Sequence, residues 1–131
     1  IGENVYETGL RAENLAKVLS QHFSHLEVLT FPKENPRIAA APLAAMCRHA
    51  DFVMYASTAR GKLSELEVEL ALSAFTQNKP ALHLALWNPY HAMQIGQPAL
   101  LSYGFRQPSL QALARVLAGE PILGKLPIDI R

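Results

Sequence analysis

Two stretches, residues 52–57 (FVMYAS) and 81–87 (ALHLALW), place apolar residues at successive positions instead of every second one. A strand with one face in water alternates apolar and polar side chains, so these two must be covered on both faces, as in a parallel sheet. Between them residues 63–78 keep helical spacing, with Glu65, Glu69, Ser73 and Thr76 on the polar face, and Asn78-Lys79-Pro80 stops the helix. Parallel neighbours cannot be joined by a tight hairpin, and a helix is the usual crossover. This strand–helix–strand unit sets the fold class.

The remaining pattern extends the alternation. Ala12, Leu15, Ala16, Leu19 and Phe23 recur at helical spacing behind the start signals Thr8 and Gly9. Residues 26–31 (LEVLTF) read as a short buried strand and 32–36 as a loop. A helix from Pro42 turns Leu43, Met46, Cys47 and Ala50 inward. Residues 98–103 are predicted as a short edge strand, because proline is tolerated at a strand's first position. A last helix from Pro108-Ser109 uses Leu110, Leu113, Ala114 and Leu117 and ends at Gly119, and residues 124–130 (GKLPIDI) return extended.

The sum predicts an α/β fold: an open, mostly parallel sheet with helices on both faces, a flavodoxin-like three-layer sandwich, in one domain over residues 1–131. Its first strand is the weak point. Ahead of the first helix stand only Ile1-Gly2-Glu3-Asn4-Val5-Tyr6. Either Val5-Tyr6 belongs to a very short strand, or Ile1-Gly2 is the stub of a truncated one. Ile1 is an unusual natural start, which favours a chain trimmed from a longer polypeptide. A stub would leave a short or partnerless position beside the centre of the sheet, open to pairing with another chain.

Composition narrows the function classes. Twelve Lys+Arg stand against eleven Asp+Glu, so there is no basic field of the kind that nucleic acid or an anionic membrane surface requires. No apolar run approaches the ~18 residues needed to span a bilayer. A single cysteine, Cys47, can form no internal disulfide and reads as a small core residue. His22, His25, His49, His83 and His91 show no metal-ligand spacing, and His83 reads as a core or face residue within its strand. Neither a metal nor a cofactor is expected.

Ligands of such sheets sit at the carboxyl ends of the strands. Those ends offer Ser57, Thr58 and Arg60, then Asn88 and Tyr90, then Tyr103. Residues 57–64 (STARGKLS) resemble an anion cradle, with hydroxyls, Gly61 and Lys62 ahead of a helix. They are not a P-loop: Ala56 stands where the first glycine belongs and Leu63 where the motif needs Ser or Thr. The plainer reading is a polar turn in which Ser64 caps the helix, with Glu67 three residues on completing a capping box. No nucleophile elbow and no pair of facing carboxyls is visible, so no catalytic residue is assigned to this chain.

The second half of the chain carries a resemblance. Residues 81–90 (ALHLALWNPY), Tyr103-Gly104, the helix that ends at Gly119 and the turn Gly124-Lys125-Leu126-Pro127 follow one another in the order seen in the C-terminal domain of family 3 glycoside hydrolases. Ser57-Thr58-Ala59-Arg60 and Asn88-Pro89-Tyr90 are most similar to its bacterial β-N-acetylhexosaminidase branch. The resemblance is strong from residue 81 onward, moderate over 51–78 and weak before. It implies an accessory domain packed on an N-terminal catalytic barrel of the same polypeptide, which removes terminal N-acetylglucosamine from cell-wall or chitin-type oligosaccharides. In that branch the acid, base and nucleophile belong to the barrel, so this chain meets the oligosaccharide only indirectly. The Glu-Gly-x-Asp-Arg-type stretch by which the β-glucosidase branch places an acid in this domain is missing after Ser57. The alternative is a free-standing flavodoxin-like module that binds a phosphate-containing ligand through residues 57–64.

One more expectation concerns the long helix. Leu63, Leu66, Leu70 and Ala74 form one apolar stripe and Val68, Ala71, Leu72 and Phe75 another, with Glu67 between them. One sheet face covers one stripe, and the other is expected to meet a neighbouring helix or an absent domain. An apolar patch near that helix, or near the turns at Ser57 to Arg60 and Asn88 to Tyr90, would draw the isolated domain into a homodimer.

Overall fold

A computed structural model of the chain describes residues 2–3, 11–32, 34–102 and 107–119. The two apolar runs are its central strands. Val53–Ser57 (β3) lies parallel to Ala81–Ala85 (β4), from Val53 opposite Ala81 to Ser57 opposite Ala85, and β4 lies parallel to Ala99–Leu101 (β5). Glu65–Phe75 (α3) makes the crossover from β3 to β4, and the short His91–Ile95 helix (α4) leads from β4 to β5. A second, two-stranded parallel sheet pairs Gly2–Glu3 (β1) with Phe31–Pro32 (β2). Arg11–Ser20 (α1) joins those two strands, a 3₁₀ turn over Pro36–Ala39 runs into Ala40–His49 (α2) ahead of β3, and Gln107–Leu117 (α5) comes last.

Successive strand residues point to opposite faces, and each face has its own helices. On one side Ala56, Leu84 and Leu86 pack with Leu15, Val18 and Leu19 of α1 and with Leu110, Leu113 and Ala114 of α5. On the other, Tyr55 and Ala59 pack with Leu70 and Ala71 of α3, Ile95 of α4, Phe31 and Ala39. Both α1 and α5 show the i, i+3, i+4 spacing that aims one stripe at a sheet. The protein is thus an open parallel α/β sheet with helices on both faces.

Element ends differ from the sequence expectation in instructive ways. The long helix is shorter than residues 63–78, because Ser64 occupies the N-cap and its side chain accepts from the Glu67 N–H. At the other end the helix stops at Phe75 with Thr76 as its C-cap, and Asn78 follows in the left-handed region at φ 55°. Pro36, rather than Pro42, takes the first-turn position of the α2 segment. The edge strand is confined to Ala99–Leu101.

The strand expected over residues 26–31 is a larger miss. Among the described residues only Phe31 and Pro32 belong to a strand here; residues 26–30 are irregular, and Val28 is 43% exposed. A β-prone sequence becomes a strand only where a neighbour supplies hydrogen-bond partners. Gly2–Glu3 is a two-residue strand, and Val5-Tyr6, the start signals Thr8 and Gly9, Tyr103-Gly104 and the tail at 124–130 lie outside the described residues.

The double stripe on α3 is also corrected. Leu63, Leu70, Ala71 and Ala74 are buried together with Glu67, whereas Leu66, Val68 and Phe75 are half-buried and Leu72 is exposed. The buried arc therefore takes residues from both expected stripes and runs through the glutamate between them.

Candidate functional site

Parallel strands deliver their carboxyl ends to one edge of the sheet, and there the chain buries polar groups. Among the described residues the buried polar side chains are Ser57, Thr58, Glu67, His83 and His91. Ser57 ends β3, His83 is the third residue of β4, and His91 opens α4. Since Ser57 and His83 are both odd-numbered positions in paired strands with Tyr55 opposite His83, they share the α3 face of the sheet.

Three hydrogen bonds link them in one line. His91 Nε2 lies 2.7 Å from the Gly61 carbonyl, His91 Nδ1 3.0 Å from Ser57 Oγ, and Ser57 Oγ 2.7 Å from His83 Nε2. A carbonyl can only accept, so Nε2 of His91 carries a proton, and when that ring is neutral its Nδ1 is an acceptor. The Ser57 hydroxyl must then donate to His91 and accept from the Nε2–H of His83. That leaves His83 Nδ1 as a lone pair, and it has no hydrogen-bond partner among the described residues. Tautomers and hydroxyl direction thus follow from one carbonyl. Burial, and secondarily the neighbouring His91 ring, lower the His83 pKa to about 4.

A second buried pair lies beside the first. Tyr55 donates its hydroxyl to Glu67 Oε1 at 3.1 Å, and its ring stands tilted against His83 with centroids 6.3 Å apart. Burial raises the Tyr55 pKa well above 10, and the Glu67 charge and the hydrogen bond to it add to the rise. The capping-box reading of Glu67 is thereby half right. Its backbone N–H is held by Ser64, but its carboxylate turns inward to Tyr55.

The loops above this cluster are tied to one another. Asn88 Nδ2 donates to the carbonyls of Arg60 and Gly61, and its Oδ1 accepts from the Tyr90 N–H. Gln94 brackets Leu63, accepting from its N–H and donating to its carbonyl. The Arg60 guanidinium lies 5.0 Å from the Trp87 ring centroid, within cation–π range. The turns after β3 and β4 therefore form one cross-linked rim, from which Tyr90 and Met93 project, each 52% exposed.

Of the residues expected at the site, Arg60, Asn88 and Tyr90 come together on this rim. Ser57 and Thr58 lie beneath it, 0% and 1% exposed, and Tyr103 lies outside the described residues. Sequence reasoning passed over His83 and His91 as site members. The available signal was a histidine inside an otherwise apolar buried strand, which needs a polar partner on a neighbouring element.

The chemistry open to these groups is limited by access. A serine hydroxyl bonded to an imidazole is a nucleophile's pairing, but Ser57, His83 and His91 are all sealed from solvent. No group of three or more metal-ligating side chains occurs among the described residues. In the loop over 57–64 the Leu63 N–H is committed to Gln94, so this donor is not left for an anion, while Ser64 Oγ accepts from the Glu67 N–H as a helix cap. Cys47 is buried, which raises its pKa despite the opposing charge of Lys79. No described helix is long and apolar enough to cross a membrane. No protein-family model matches the chain, and comparison with curated proteins and with solved structures returns no match either.

Proposed function

We propose that this chain is an accessory α/β domain of a β-N-acetylhexosaminidase-like glycoside hydrolase, docking through its strand-end rim onto a catalytic barrel that removes terminal N-acetylglucosamine. The observation that carries the reading is the division of labour at the strand ends. The polar groups with chemical potential are buried and hydrogen-bonded to one another, while the surface above them is cross-linked and partly apolar. Exposed aromatic and thioether side chains such as Tyr90 and Met93 suit a protein interface better than a reaction centre. The resemblance of residues 81–90 and 57–60 to the hexosaminidase branch names the partner. The bound phosphate ligand of a flavodoxin-like module finds less support, because the Leu63 N–H of the 57–64 loop is taken by Gln94 and the loop departs from the P-loop pattern at Ala56 and Leu63.

The test is a titration of this chain against a purified barrel of that class, followed by sedimentation. A complex is expected, and Tyr90→Asp should weaken it at least about tenfold, the loss typical of a central contact. The chain alone should not turn over a chromogenic N-acetylglucosaminide. Absence of a complex at about 100 μM, below which even weak domain contacts are usually seen, would refute the reading, as would turnover by the chain alone.

A further inference from the structure

The described strands leave a slot in the middle of the fold. β3 is bonded to β4 through its odd-numbered residues: the Val53 N–H donates to the Pro80 carbonyl, and the Ser57 carbonyl accepts from Leu86. In a parallel ladder a residue's N–H and C=O point the same way and neighbours alternate. The backbone groups of Met54 and Ala56 therefore face the opposite edge, and among the described residues no strand pairs there. Along that edge runs a cavity of about 880 Å³, bounded by β3 on one side and by residues 26–29 on the other. Leu15 and Leu19 of α1 line it on one face of the sheet, and Leu43, Cys47, Leu70 and Ala74 on the other.

Its dimensions are those of one strand. A strand residue takes about 3.3 Å along the chain, about 4.8 Å to its neighbour and about 10 Å through the layers, or about 160 Å³. The cavity is therefore large enough to take several strand residues. The number of chain positions is close to this: β1 pairs Gly2 with Phe31 in parallel, so in the same register the four positions ahead of Ile1 stand opposite 26–29. Apolar walls on both faces require apolar side chains at every position, odd and even alike.

We propose that this slot seats a central strand of about five apolar residues leading directly into Ile1 and Gly2, parallel to residues 26–31 and hydrogen-bonded to Met54 and Ala56. β1 is then the end of that strand, and the two sheets become one of five strands, ordered β2-β1-β3-β4-β5. Residues 26–30, which lie outside the described strands, then run alongside it.

The test prolongs the chain by Val-Leu-Leu-Val-Leu ahead of Ile1 and compares it with a Ser-Asp-Ser-Asp-Ser extension. The apolar extension should slow amide exchange at Met54 and Ala56 at least about 100-fold and raise Tm by about 10 °C, as for a strand joining the cooperative core. The polar one should do neither. The same apolar residues, added in trans as an acetylated peptide, should also slow exchange at Met54 and Ala56, a measurement that stands if the extended chain aggregates. Equal exchange with both extensions and no effect of the peptide would overturn the proposal. So would protection of Met54 and Ala56 in the unextended chain that fades on dilution, which would give the slot to a second copy.

Discussion

The β3–β5 half of the molecule and the β1–β2 half hold their chain by opposite means. Around β4 every neighbour is present: two parallel ladders, helices on both faces, and a line of hydrogen bonds from His83 through Ser57 and His91 to the Gly61 carbonyl. Around β2 the ladder lasts two residues, and residues as apolar as Leu26, Val28 and Leu29 lie irregular and partly exposed beside a cavity. Both halves contain β-branched and leucine-rich sequence. What separates them is the supply of partners, and the comparison shows that apolar patterning specifies a strand only in company.

The largest expected difference is in packing. Leu84, 1% exposed at the centre of the closed half, should cost about 3–4 kcal/mol on replacement by alanine, since a cavity is left where little can collapse. Val28→Ala in the open half should cost below about 0.5 kcal/mol. Equal losses in urea denaturation would break the comparison.

Acid should act next, and on the closed half alone. His83 titrates near 6.5 when unfolded but at about 4 when folded. Above pH 6.5 both states are neutral and stability is unaffected. As pH falls from 6.5 to 4 the unfolded chain binds a proton that the folded one refuses, so about 3 kcal/mol of stability drains away across that window and levels off below it. His83→Gln should remove this slope. A denaturation series that stays flat from pH 6.5 to 4 in the parent chain would show that the ring is not held neutral.

Ser57→Ala sharpens the origin of the effect. It strands the His83 Nε2–H and the His91 Nδ1 together, and should cost about 2–3 kcal/mol, the penalty for buried groups left without partners. A cost under about 0.5 kcal/mol would mean that the hydroxyl is not the bridge between the two rings.

At the smallest scale, Ser64→Ala removes the N-cap of α3 and should cost about 1 kcal/mol, measured by denaturation. Glu67→Gln complements it by keeping the helix cap and changing only the charge beside Tyr55. The tyrosine should then ionise at lower pH, which ultraviolet titration can follow; an unmoved titration would separate Glu67 from the tyrosine shift.

Local order was enough to establish much of this. The runs at 52–57 and 81–87, the helix between them, Ser64 as its cap and the stop near Asn78 are all consequences of side-chain period and chain ends, which act within a few residues. The fold class follows from them, because buried parallel strands require helical crossovers on their faces. Arg60, Asn88 and Tyr90 could be placed on one rim for the same reason: they follow the carboxyl ends of strands that must point alike. Tertiary structure decided what depends on the identity of a neighbour. It put His83 against Ser57 across a parallel register, swung His91 back from another helix onto the same hydroxyl, and drew Glu67 out of its capping box toward Tyr55. It also left residues 26–30 outside the described strands, although their composition favours one. A hydrogen bond needs its partner within about 3 Å, and for groups 12 to 34 positions apart only the packed fold determines whether that partner arrives.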